Sequence, residues 1–236
     1  MLGCMDRSNE DSEALVPTSL AAGALLALLW AITVASGTSQ QFFEWALPPA
    51  VYARALVAHA APLRTIVAID DVFVAAYVSA TLFLALRLGA GRGRILALLV
   101  GVGGVTAGLL DLEENHHLLA LARLAENDVA IPLAEIVHRT TASQLKWMIA
   151  HLAFVLAGFA MTGTSRFLPI VRVSLIALQL PLGALVWAVE DPAFRPLLVS
   201  ARYASLIVGF LAVAFLYREP SPTRGVGVAA GSGAPA

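Results

Sequence analysis

The sequence predicts an all-α, polytopic transmembrane bundle of about six helices. Two observations carry that expectation. The 236-residue chain is 59% hydrophobic and only 13% charged, with a mean hydropathy of +0.81, whereas a soluble domain carries about twice that share of charge. The apolar residues also gather into stretches close to the ~20 residues that cross a bilayer at 1.5 Å per residue.

The predicted spans are 18–36, 66–88, 95–112, 145–162, 167–189 and 197–217. Residues 1–17 are polar and mostly acidic (Asp6, Glu10, Asp11, Glu13). A secretory signal starts with a basic segment, so the first apolar run reads as an uncleaved helix behind a polar cytoplasmic tail. The second and third spans are separated by Gly91-Arg92-Gly93-Arg94, the fourth and fifth by Thr164-Ser165-Arg166, and the fifth and sixth by Asp191-Pro192. The membrane domain thus covers 18–218, and 219–236, rich in Pro, Gly, Ser and Ala, reads as a disordered tail.

Two connections do not fit a plain bundle. Between the first two spans, Phe42, Phe43 and Trp45 suit the membrane interface. Residues 50–60, following Pro48-Pro49, are expected to lie along the surface as an interfacial helix. Between the third and fourth spans, 115–143 is long; its start prolongs the third helix and Pro132 marks a turn. Within the third span, Gly104 and Gly108 stand four apart, a spacing that lets helix backbones approach closely.

Composition also excludes several classes. A net charge of −1 with scattered basic residues gives no footprint for nucleic acid, so the lipid bilayer is the expected partner. Cys4 is the sole cysteine and forms no internal disulfide or redox pair. No phosphate loop or nucleophile elbow is present, and Gly101-x-Gly103 lies inside a span, so no cofactor is identified. Fourteen of the fifteen basic residues are arginine, a usage typical of GC-rich bacterial genes.

Charge is distributed unevenly across the two faces of a six-span bundle. The face bearing the termini has eight basic and five acidic residues; the other has seven and eleven. Arg87, Arg92 and Arg94 crowd one short loop and read as a cytoplasmic anchor. Arg64, Lys146 and Arg202 are expected to be engaged by intramembrane acids. Both termini are therefore placed in the cytoplasm of a bacterial inner membrane, and the acid-rich face, with all five histidines, toward the periplasm.

Near that face the helices bring ionisable residues to one level, where charged groups normally face the bundle interior and pair. On the second helix Asp70, Phe73 and Tyr77 share a face, and Asp71 points elsewhere. On the third, Asp111, Glu114 and Asn115 share a face; His117 borders it and His116 diverges. Lys146, the only lysine, is the obvious counter-ion. One lysine cannot neutralise Asp70, Asp111 and Glu114 together, and a carboxyl that keeps its proton can act as donor or carrier. Asp70, Phe73, Tyr77, Asp111, Glu114, Asn115 and Lys146 are the candidate ligand-binding set, with Asp70, Asp111 and Glu114 the candidate acids or bases. Glu114, His117 and His151 offer metal-ligand atoms, but no His-x-x-x-His or similar pair shares a helix face and Lys146 would repel a cation.

The pattern Asp70-x-x-Phe73-x-x-x-Tyr77, then Asp111-x-x-Glu114-Asn115, then Lys146-Trp147, resembles a family of uncharacterised bacterial polytopic inner-membrane proteins. In that family a D-x-x-E-N motif and a following lysine recur. The resemblance covers about 64–163 and implies a multi-span helical bundle without implying a reaction. The doubled Asp70-Asp71, the His116-His117 pair and the long 115–143 connection depart from it.

Three functions compete. The cluster binds a proton, an ion or a small ligand near the periplasmic face. Alternatively, the chain is a membrane-embedded enzyme acting on a lipid or isoprenoid through a carboxyl acid or base. A third possibility is an assembly protein in which the cluster is a structural polar lock. A cavity at the carboxyls favours the first two; closure of the charges on one another favours the third.

Overall fold

The computed structural model of the protein describes residues 3–89, 93–189, 191 and 194–218. The arginine-rich turn around Arg92, Glu190, Pro192 and the tail 219–236 lie outside the described residues. What is described is helical, with no strand: α1 (Gly3–Ser36), a short 3-10 helix (Gln40–Glu44), α2 (Pro49–Gly89), α3 (Arg94–Glu126), α4 (Leu133–Ala160), α5 (Leu168–Ala177), α6 (Gln179–Ala188) and α7 (Arg195–Tyr217). Six helical segments are long and apolar enough to cross a membrane, with α5 and α6 together making the fifth. The all-α transmembrane bundle expected from composition is the fold observed.

α2, α3 and α4 overshoot the bilayer on the acid-rich face. α2 has 41 residues and α3 has 33, or roughly 60 and 50 Å at 1.5 Å per residue, against a hydrocarbon core of about 30 Å. Residues 50–60 are the opening turns of α2 rather than a separate interfacial helix. Pro62 deprives Ala58 of its helical donor without ending the helix, because the turns on either side are fixed by packing. Tyr52, Leu56, Leu63 and Val67 of α2 are buried against Leu118, Leu121 and Ala122 of α3 and Ile136 of α4, with Phe43 beneath them. The 115–143 connection is likewise mostly helix, turning only through Asn127–Pro132, where Asp128 takes a left-handed φ of 56°. Together these extensions form a small helical head on the acid-rich face.

Inside the bilayer the bundle has two further apolar cores. One, toward the terminal face, joins Leu15 of α1, Leu84 and Leu88 of α2, Ala97 and Val100 of α3, and Leu175 of α5. The other packs Ala22, Leu26 and Leu29 of α1 against Ile66 and Phe73 of α2 and Tyr203 and Leu206 of α7. The fifth span is broken at Leu178. Pro181 has no amide hydrogen to offer the Ala177 carbonyl, which loosens the helix at that point.

α2 and α3 touch most closely at the two glycines of the third span. A Cβ on Gly104 would lie 2.4 Å from Thr81 Cγ2, and one on Gly108 would lie 2.4 Å from Val78 Cγ2. The expected small-residue contact is therefore made, and it fixes the register that carries Asp111 and Glu114 opposite Asp70. Gly108→Val is expected to lower stability by about 1–3 kcal/mol through overpacking, read as thermal unfolding in detergent. Gly209→Ala, where no atom lies within 4 Å, should leave the midpoint unchanged or slightly raised.

Candidate functional site

The close α2–α3 contact sets two acidic faces against each other one to two turns above it, and α4 supplies the cations. Lys146 Nζ lies 2.8 Å from Asp111 Oδ1 and 2.5 Å from Glu114 Oε2. The other Glu114 oxygen, Oε1, accepts from Arg139 Nη2 at 2.8 Å. Arg139 is fully buried, and its Nη1 also donates to the Phe43 carbonyl. Glu114 is thus held between two cations, and Lys146 is shared between two acids. Charge-assisted bonds of this kind are the stronger hydrogen bonds, and burial makes each depend on its partner.

The second-helix acid is held differently. Asp70 Oδ2 accepts from Asn115 Nδ2 at 2.8 Å, and that amide also reaches Asp71 Oδ1 at 2.9 Å. Asn115 Oδ1 accepts from Gln40 Nε2 at 2.9 Å. No cation lies within ion-pair distance of Asp70 among the described residues, although its residue is 7% exposed. Asp71 is one-third exposed, with His116 Nε2 at 4.0 Å. Tyr77 Oη donates to Asp111 Oδ2 at 3.2 Å. Phe73 sets its ring 5.0 Å from that of Tyr77 and edge-on to Phe210 at 6.2 Å, which makes it a packing residue of the α1–α2–α7 core.

The short 3-10 helix carries a second charged group beside the first. Glu44 Oε2 lies 3.6 Å from Arg202 Nη2 of α7, and Glu44 Oε1 accepts from Trp147 Nε1 at 3.2 Å. The Arg202 guanidinium lies over the Trp147 ring, 3.6 Å from its centroid, an arrangement worth more when desolvated. Gln41 Nε2 donates to Tyr203 Oη at 2.9 Å, and Thr38 Oγ1 is 2.9 Å from His59 Nδ1. The segment read as an aromatic interface anchor therefore turns Gln40, Gln41, Phe43 and Glu44 inward and ties four helices together.

The candidate residues thus divide. Tyr77, Asp111, Glu114 and Lys146 form one hydrogen-bonded chain, and Asp70 and Asn115 form a second group beside it, with Phe73 at the edge. Arg64 does not join it: its partner is Glu126, at the surface. His151 stacks on Trp147 with ring centroids 5.8 Å apart and faces Phe154. On its far side α6 comes so near that a Cβ on Gly183 would lie 2.4 Å from His151 Cδ2. His151 and Glu114 thus lie in separate places, and His117 turns instead to Glu135. His59 and His138 lie within α2 and α4.

Sequence reasoning passed over Arg139 and Glu44. Arg139 stands seven residues before Lys146, so the two share a face of α4 with Ser143 between them, and that spacing was a readable signal. Glu44 sits in a connection and carries no periodicity.

Cavities of about 50, 300 and 860 Å³ are lined by other residues: the first by Thr81, Phe154, Gln179 and Ser205, the second by Trp30, Trp45, Arg195 and Tyr203, the third by Leu82, Leu86, Leu98 and Val102. The charges close on one another. No protein-family model, curated protein or solved structure matches the chain.

Removing one partner of a buried pair strands the other charge. Arg139→Met is therefore expected to cost about 3–5 kcal/mol in detergent unfolding. Arg64→Met, at a half-exposed pair, should cost no more than about 1 kcal/mol.

Proposed function

We propose that this integral membrane protein binds a proton in its polar cluster, on Asp70, near the periplasmic face of a bacterial inner membrane. The supporting observation is a mismatch of charge. Four buried acids, Glu44, Asp70, Asp111 and Glu114, face three buried cations, Arg139, Lys146 and Arg202. Each cation is engaged by an acid other than Asp70, whose direct partner is the neutral Asn115 amide. An unmatched carboxylate at this depth is costly, and a proton is the smallest species that neutralises it without opening the network. The Asn115 amide bridges Asp70 and Asp71, and the one-third-exposed Asp71 gives such a proton a route to water.

The lock reading has its own support, because Lys146, Asp111, Glu114 and Arg139 form a closed ion chain joining α3 to α4. The two readings combine: the chain holds the helices and Asp70 is the exchanging member. Enzymatic action on a lipid has less support, since the described cavities are lined away from Asp70, Asp111 and Glu114. The cytoplasmic placement of the termini rests on Arg87 and Arg94 at the opposite face, and the residues of the cluster are those that carry the family resemblance.

Infrared spectra of the protein in lipid, recorded across a pH titration, test this reading. The wild type should show the C=O stretch of a protonated carboxylic acid, lost in Asp70→Asn and retained in Asp71→Asn. A band unchanged in Asp70→Asn, or no such band, would leave the cluster as a lock alone.

A further inference from the structure

A second group of ligand-type side chains lies on the outside of the same two helices. α3 presents Glu113 and His117, four residues apart, and α4 presents Glu135 and His138, three apart; both spacings put the pair on one helix face. The pairs are crossed between helices. His117 Nε2 lies 3.1 Å from Glu135 Oε2, and His138 Nε2 lies 3.1 Å from Glu113 Oε1. The two imidazole rings stand 5.5 Å apart. One donor atom each from Glu113, His117 and His138 falls within 4.8 Å of the other two.

We propose that Glu113, His117, Glu135 and His138 form a binding site for a divalent transition metal of the Zn²⁺ class. Tetrahedral Zn²⁺ holds nitrogen and oxygen ligands at about 2.0–2.1 Å, which sets neighbouring ligand atoms about 3.3 Å apart. Two such edges are already near that length, and the half-exposed Glu113, Glu135 and His138 side chains close the remainder by rotation. Two imidazoles with two carboxylates suit Zn²⁺ better than Ca²⁺ or Mg²⁺, which take oxygen ligands. Two carboxylates also balance the charge of the ion.

The objection that Lys146 would repel a cation falls away, because Lys146 and Arg139 are turned inward and neutralised by Asp111 and Glu114. His116, the adjacent histidine, points to Asp71 and takes no part. A site with four protein ligands is closed, so its role is structural. It pins the α3 and α4 turns that carry Glu114 and Arg139, whose positions directly follow Glu113 and His138 in sequence. This inference stands apart from the Asp70 reading.

The test uses the full chain in detergent, freed of any affinity tag and stripped with chelator, then titrated with Zn²⁺ by calorimetry and checked by elemental analysis. One Zn²⁺ per chain is expected, with a raised melting temperature and no displacement by excess Mg²⁺. The double variant His117→Ala/His138→Ala should lose roughly 100-fold or more in affinity, and Glu113→Gln should weaken binding. His116→Ala should bind as the wild type does. Glu113, Glu135 and His138 lie at the head surface and His117 is largely covered, so apo Glu113→Gln should melt with the apo wild type and the apo double variant somewhat below it. Substoichiometric Zn²⁺ in the wild type, or equal binding by the double variant or by Glu113→Gln, would overturn the site.

Discussion

Glu114 is the constraint on which the bundle depends. Its carboxylate is 2% exposed, in a chain whose surroundings are lipid, and such a group persists only when its charge is matched on the spot. Lys146 and Arg139 do that from two turns of α4, one on each oxygen. Every other element is positioned relative to that arrangement. α2 must come close enough to α3 for Asp70 and Tyr77 to meet Asn115 and Asp111, which is why the contact at Gly104 and Gly108 has no room for a side chain. The Gln40–Glu44 segment must turn inward, because Arg139 has a further donor that the Phe43 carbonyl accepts.

Buried ion chains are poor sources of net stability but strong sources of register, because each wrong pairing leaves a charge stranded. In water an apolar face selects its partner by burial. In a bilayer lipid is as apolar as leucine, and packing and polar contacts must make the selection. The cluster does so for α2, α3 and α4, and the Glu44–Arg202–Trp147 group extends it to α7. The helical head above then adds an ordinary apolar core of Tyr52, Leu56, Leu118, Leu121 and Ile136, built on helices that the charges have already aligned.

Much of this was legible in the sequence, and the limits have physical causes. Helix number followed from hydropathy, and the facing of Asp70, Asp111, Glu114 and Asn115 followed from helical period. The length of α2 was not legible: residues 50–60 have the composition of a surface-lying helix, and only packing against 118–125 makes them continue the span. Arg64 and Arg139 look alike in the sequence as basic residues near a helix end, yet one pairs with Glu126 at the surface and the other is fully buried. Helical spacing from Lys146 separates them. The inward turn of Glu44 depends on α7, far along the chain, and no local pattern announces it. The crossed Glu113, His117, Glu135 and His138 set was hidden for a related reason, since each half is a single pair and the site exists only once α3 and α4 fold together.

A double-mutant cycle on Glu114 and Arg139 tests the central claim most directly, with unfolding in detergent as its readout. Arg139→Met alone should be strongly destabilising, and Glu114→Gln added to it should recover much of the loss, because the stranded charge goes with its partner and the Lys146–Asp111 pair is left intact. Additive losses in the double variant would contradict the account and leave the two residues as independent packing positions.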